Sequence, residues 1–366
     1  MSRKTVFLVC VALLLVALFS VLLMGNNEER TAVQEKVKVG FVMTGGRTEK
    51  GYNQLHYVGI KKATDKLGVD LLVKENALEF SGECPKAVEN FAKEGVKAVF
   101  LGSYNYYKEI QPLIDKYPKI TFYTTSFDSD KPNVASYFVR YYQARYLAGL
   151  VAGKQSESGR IGYVAAMPNH EVKRGINAFA LGVRAANPQA KVFVRWTGKW
   201  DDAVKEKENV RKLFENQKID LVAYHQNQQN VVQEAEALGI QSIGYHAPME
   251  GASPKHLTAV VCSWDKTYEY LLQMLLTKQE SKRKEYWVGY PESAVGLTAF
   301  SPLVKEETKK LVAEKAQRLK NYDFIFSGNI YDNLGKQRCS REMSISDKQL
   351  VEDMNWLVKG VEVCED

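Results

Sequence analysis

The sequence has few of the groups that carry covalent or metal chemistry. It holds five cysteines and five histidines in 366 residues. The cysteines (Cys10, Cys84, Cys262, Cys339 and Cys364) are too few and too scattered for a disulfide framework, and no two stand at C-x-x-C spacing. A bridge between Cys339 and Cys364, both in the C-terminal segment, is open on sequence grounds. The histidines (His56, His170, His225, His246 and His256) form no H-E-x-x-H or other metal spacing. The nucleophile elbow G-x-S-x-G is absent. Acidic pairs do not recur where strands end; Asp201 and Asp202 are expected to cap a helix beginning near Ala203. The expectation is therefore a protein without metal, cofactor or catalytic residues.

Phosphate-binding loops are missing too. In "KVGFVMTGGRTEKGYNQLHYVGIKKATDKLG", Lys38 to Gly68, a short β-prone run meets a glycine-containing loop and then a helix with Leu55, Gly59, Ile60, Ala63 and Leu67 on one face. Gly45, Gly46 and Gly51 do not have the G-x-G-x-x-G spacing of a dinucleotide site, and no G-K-[ST] follows. The loop–helix junction instead presents Tyr52 and Asn53, a ring beside an amide. The alternative for this pair is a core tyrosine and a capping asparagine. The formal charge of +7 is modest, and the densest basic cluster, Lys282-Arg283-Lys284, lacks interleaved aromatic platforms. No nucleic-acid partner is expected.

The longest apolar run is at the N-terminus. Arg3 and Lys4 precede Thr5 to Met24, and a polar linker follows. Such a segment directs export. Its length, roughly the 20 residues that span a bilayer, and the want of an A-x-A-like cleavage site favour an uncleaved anchor over a cleaved signal. No cysteine follows the run to take a lipid.

The rest of the chain alternates. "VDLLVKEN", "VKAVFLGS" and "ITFYTTS" read as strands separated by the helices "CPKAVENFAKEG" and "YYKEIQPLIDKYP". The grammar restarts at Arg160 with "RIGYVAAM", "EVKRGINAFALGVRAAN" and "KVFVRWTG". This predicts an α/β protein of two similar Rossmann-like lobes with parallel sheets, joined by long crossover segments such as "NVASYFVRYYQARYLAGLVAGK". Ligands in such sheets sit beyond the carboxyl ends of the strands. The candidates there are Gly45, Tyr52, Asn53, Ser103, Tyr104, Ser126, Arg140, Met167, Trp200, Gln226, Asn227, His246 and Trp264, with His225, Tyr245 and Ser263 beside them. Rings, amides and hydroxyls dominate, which suits a flat, uncharged ligand held by stacking and hydrogen bonds.

The stretches "GYNQLHYVGIKKA", "IGYVAAMPNHEVKRGINAFALGVRAANPQAKV", "WTGKWDDAVKEKE", "DLVAYHQN" and "FSGNIYDNLGK" stand in collinear order from about Lys36 to the C-terminus. In these the chain resembles the basic membrane protein family of exported solute-binding proteins, which includes purine-base and purine-nucleoside receptors of ABC importers. The resemblance implies the type I periplasmic binding protein fold with three crossovers, delivery of a purine base or nucleoside to an ABC permease, and no catalysis. It divides the chain into a signal or anchor over 1–25, a linker over 26–35, a first lobe over 36–137 and 248–293, and a second lobe over 138–247 and 294–366. It places Tyr52 to stack on the heterocycle and Asn53 at its polar edge. Nucleoside-binding members carry an acid and a lysine for the ribose near His246 and Trp264, and this chain does not, so a free base is expected. Two alternatives are a membrane-anchored sensory domain and an exported nucleoside hydrolase.

Overall fold

The computed structural model describes residues 36–365 apart from 50, 126–130, 247, 248, 250 and 280–284. The N-terminal apolar run, the linker and Ser126 lie outside the described residues.

Strand β1 (Lys38–Val42) feeds helix α1 (Tyr52–Leu67). The alternation continues through β2 (Asp70–Lys74), α2 (Glu83–Lys93), β3 (Ala98–Leu101), the short helices α3 (Tyr106–Glu109) and α4 (Gln111–Lys116), β4 (Thr121–Thr124) and β5 (Val134–Val139). Helix α5 (Tyr141–Gln155) opens a second series of β6 (Arg160–Ala165), α6 (His170–Ala186), β7 (Lys191–Trp196), α7 (Ala203–Gln217), β8 (Leu221–His225), α8 (Asn230–Ala237), β9 (Gln241–His246) and β10 (His256–Cys262). Then come α9 (Trp264–Leu276), β11 (Glu285–Val288), β12 (Val295–Leu297), α10 (Glu306–Lys320), the pair β13 (Ile330–Tyr331) and β14 (Gln337–Cys339), α11 (Asp347–Glu352) and β15 (Val361–Val363).

The strands form a six-stranded sheet in the order β11-β5-β4-β3-β1-β2 and a seven-stranded sheet in the order β12-β10-β9-β8-β6-β7-β15. Within these two sheets every pairing is parallel except β10 with β12, and β13 and β14 form a separate antiparallel pair. Parallel sheets are covered on both faces, so central strands read as continuous apolar runs; every residue of β3, β5 and β8 is buried. The expected α/β architecture of two parallel sheets is the one observed.

The chain passes between the sheets three times: after β5, after β10 and between β11 and β12. Strand β10 pairs with β9 in the second sheet. The described residues up to Cys262 therefore do not belong with the first sheet, as a lobe boundary at residue 248 requires, and the switch falls at Ser263. Likewise β5 stays in the first sheet to Val139, which moves the first switch from Tyr137 to Arg140. The crossings are knitted side by side. Arg140 N donates to Val288 O at 2.7 Å, Ser263 N to Ala294 O at 2.8 Å, and Ala294 N to Gly289 O at 2.9 Å.

Glycines set the closest helix crossings. A Cβ at Gly149 of α5 would stand 2.1 Å from Phe179 O, and one at Gly182 of α6 would stand 2.0 Å from Tyr146 O. Asp202 caps α7 by accepting from Lys205 N at 3.0 Å, the role read for it in the sequence. Helix α9 completes the first core: Tyr268 meets Phe41, Phe100 and Tyr137 at ring distances of 6.1, 5.4 and 5.8 Å. Cys84, Cys262, Cys339 and Cys364 are free thiols, so the bridge open between Cys339 and Cys364 is not formed.

Candidate functional site

The carboxyl ends of both sheets carry the loops that precede α1, α3, α6, α7 and α8, together with the starts of α5 and α9. The loops nearly touch across the cleft. A Cβ at Gly51, the residue before α1, would lie 2.9 Å from the backbone oxygen of Asn227, between β8 and α8.

Several sequence candidates hydrogen-bond to the loops around them. Asn53 is buried, and both its backbone N–H and its Nδ2 donate to Glu49 Oε1, at 2.9 and 2.7 Å. Thr44 Oγ1 donates to Asn53 Oδ1 at 3.3 Å. The amide expected at the ligand's edge thus braces its own loop. Gly45 gives Glu49 room to do this, because a Cβ there would stand 2.1 Å from Glu49 Oε2. Ser103 Oγ donates to Glu79, which also accepts from Asn105 Nδ2 at 2.9 Å, while Tyr104 beside them is exposed. Gln226 is buried with its amide 2.7 Å from Thr197 Oγ1, and Asn227 N donates to Trp200 O at 3.0 Å.

Arg140 belongs to the crossings. It pairs with both oxygens of Asp347 in α11, donates through Nε to Trp287 O at 2.9 Å, and lies 4.3 Å above the Trp287 ring. Asp265 at the start of α9 is turned outward onto Lys62 Nζ at 2.8 Å.

The remaining candidates come together. His246 ends β9 with φ at +72°, a left-handed conformation that non-glycine residues seldom adopt. Its ring lies 3.6 Å from that of Tyr245 and 6.1 Å from those of Tyr52 and Tyr141. Tyr52 lies 4.1 Å from His56, and His56 lies 3.7 Å from Trp264. Trp264 is only 2% exposed. Trp200, 37% exposed, stands 5.9 Å from His225, which is 4.9 Å from Tyr245. Met167, also 37% exposed, is on the same rim. The cluster draws rings from α1 and α9 on the first-sheet side, from α5 at the crossing, and from β8 and β9 of the second sheet.

The polar atoms of this cluster are under-satisfied. His56 Nε2, Tyr141 Oη, Arg145 Nε and Nη2, His225 Nδ1, His246 Nδ1 and Trp264 Nε1 are buried and meet no hydrogen-bond partner. Buried polar groups in folded proteins are nearly always paired, so the convergence of unpaired ones makes this cluster the candidate site. Burial holds the imidazoles neutral. It drives His56 and His225 well below the ordinary histidine value, and burial followed by the Arg145 charge takes His246 down to about 3. A neutral imidazole can donate or accept according to tautomer. Burial raises the Glu171 carboxyl, against the pull of Arg174 and Arg145; its oxygen is 3.8 Å from His225 Nε2.

Sequence reasoning missed Tyr141, Arg145, Glu171 and His56. Arg145 left one signal, a single charge inside "YYQARYLAGLVAG", a helix otherwise buried from Tyr141 to Gly153 apart from Tyr146. Among the described residues no group of His, Cys, Asp and Glu could hold a metal ion, and no helix is long and apolar enough to cross a membrane.

Residues 36–325 match the family model described as ABC transporter substrate-binding protein, PnrA-like. A purine-binding protein of Brucella abortus is 29% identical over 333 residues, covering 90% of this chain and 94% of that one. A Haloferax volcanii protein named for glucose binding in an ABC transporter is 29% identical over 279 residues, covering 76% of this chain and 68% of that one. The solute-binding protein of an ABC transporter from Aeropyrum pernix K1 superposes with a TM-score of 0.67 at 16% identity, over 87% of this chain and 98% of that one; the likeness is one of fold.

Proposed function

The chain belongs to the PnrA-like family of ABC transporter substrate-binding proteins, and from that premise we propose that it captures a purine base between its two sheets and hands it to an ABC permease. The observation that carries the ligand class is the cluster of Tyr52, Tyr141, Trp200, Tyr245 and Trp264 interleaved with neutral His56, His225 and His246. A purine has apolar faces that stack and a rim of donors and acceptors, and this cluster offers rings and uncommitted imidazole nitrogens together. The purine-binding Brucella relative points the same way. A sugar presents hydroxyls around its whole edge and asks for several carboxylates and amides; here Asn53, Gln226 and Asp265 are engaged elsewhere.

A nucleoside is favoured by one observation, the Glu171 carboxylate within the cluster, which could accept from a ribose hydroxyl. We take the free base as primary because the other ribose-holding groups expected of nucleoside receptors are replaced by His246 and Trp264. We also place the protein outside the cytoplasmic membrane, held by residues 5–24, and assign it binding without turnover.

One calorimetric series tests the ligand. Ligand-stripped protein is titrated with hypoxanthine, adenine, inosine, adenosine and glucose, and the nucleoside mixtures are then analysed for free base. A base is expected to bind more tightly than its nucleoside, with no base released. Tightest binding of glucose would overturn the purine reading, and released base would make the protein a hydrolase. Intact mass of the exported protein checks the anchor; a mature terminus near Asn26 would reduce the apolar run to a signal.

A further inference from the structure

Arg145 is 2% exposed and makes no ion pair among the described residues, the Glu171 carboxyl feeling its charge only at longer range. A buried charge without a counter-charge is strongly unfavourable unless its donors are met. Only one of its nitrogens is. Nη1 donates to Tyr224 O at 2.9 Å, at the carboxyl end of β8. The guanidinium stacks on Tyr245, its carbon 4.0 Å from the ring centroid. Nε and Nη2, which together form one edge of the guanidinium, have no partner.

Helix α6 approaches that edge through a glycine. A Cβ at Gly175 would stand 3.1 Å from Arg145 Nε and 3.3 Å from His225 Nδ1, which is itself unpaired. Tyr245, beneath the guanidinium, is stacked on His246, whose Nδ1 is also unpaired. A fork of two parallel N–H donors thus lies one ring away from two uncommitted imidazole nitrogens.

Such a fork selects its ligand. Two adjacent donors are matched by two adjacent acceptors, which is how arginine reads the O6 and N7 of guanine. Adenine places an amino donor beside its N7 on the same edge and meets the fork with only one acceptor. Resting on the reading of the ligand as a purine, we propose that Arg145 is the specificity-determining residue of the site: it takes the O6/N7 edge of a 6-oxopurine, and the receptor therefore prefers hypoxanthine and guanine over adenine. His225 and His246 then adapt by tautomer to the remaining rim nitrogens.

The test uses hypoxanthine, adenine and 7-deazahypoxanthine, which lacks the N7 acceptor, titrated into the ligand-stripped wild-type chain. Hypoxanthine is expected to bind about 10-fold or more tightly than either. In Arg145→Lys, which keeps the charge but not the planar fork, the difference between hypoxanthine and adenine should shrink to about threefold or less. The deaza comparison decides without the variant should Arg145→Lys fail to fold. If adenine or 7-deazahypoxanthine matches hypoxanthine, the fork serves the protein interior and the assignment to Arg145 is overturned, while the purine reading stands. If none of the three binds, the free-base reading fails and takes this assignment with it.

Discussion

His246 joins strain, burial and chemistry in one residue. Its positive φ ends β9 and turns the ring over Tyr245, and its surroundings hold it neutral down to about pH 3. The sign of the pH dependence follows. Unfolded histidine takes up a proton near pH 6.5, whereas the folded ring does not until about pH 3. Between those values the unfolded state binds more protons, so stability rises with pH across the window and is complete above it. His56 and His225, lowered by burial, act in the same direction. Each such group steepens the slope by up to about 1.4 kcal/mol per pH unit. Urea unfolding of the ligand-free protein at pH 7, 6 and 5 should show this loss, and His246→Asn, which tolerates the left-handed backbone, should make the slope shallower. An unchanged slope would mean that His246 protonates in the folded state. Tyr52, His246 and Trp264 were legible in the sequence because strand-end position is a local property. Arg145, Tyr141 and Glu171 were not, because their places depend on how α5 and α6 cross. The engagement of Asn53 by Glu49, four residues earlier, was not legible either, because it depends on how the loop folds back.

At the scale of elements, the pairing of α5 with α6 is a close one. It rests on Gly149 and Gly182, each facing a carbonyl oxygen of the other helix. Exchange of glycine for alanine inside a helix ordinarily gains about 1 kcal/mol of propensity. Here the added Cβ of Gly149→Ala would sit 2.1 Å from Phe179 O, and backbone cannot swing aside as a side chain does. Overpacking of this kind costs about 1–3 kcal/mol, so net destabilisation is expected in chemical denaturation. Gly296→Ala in β12, where no neighbouring atom lies within 4 Å, serves as the control and should be near neutral. Equal stability of Gly149→Ala and wild type would sink the close-crossing account. The order of strands and helices was plain in the sequence, since apolar period and turn residues are written locally. The sheet to which β10 belongs was not, because strand partnership depends on the path of the chain after Cys262 and on no residue within the strand.

At the scale of the molecule, the two rims meet at backbone. Gly51 stands against the carbonyl of Asn227, so Gly51→Ala places a methyl group where the rims close. We expect this variant to hold the rims apart, to weaken purine binding about 10-fold, and to abolish any ligand-induced fall in the radius of gyration by small-angle scattering. Normal affinity with normal compaction would show that the rims do not meet in the liganded state. The Arg140–Asp347 pair binds α11 to the first of the crossings. The same threefold passage between sheets has a consequence for how the chain is made. The first sheet's strands up to β5 emerge early, but the helix that covers Phe41, Phe100 and Tyr137 is α9, and the edge strand is β11. Both follow the whole of β6 to β10. Until they arrive the early strands have an uncovered apolar face and an open edge, and cannot settle into a stable core. A nascent chain built in this order leaves its first sheet incomplete until β11 has emerged, after the central strands of the second sheet.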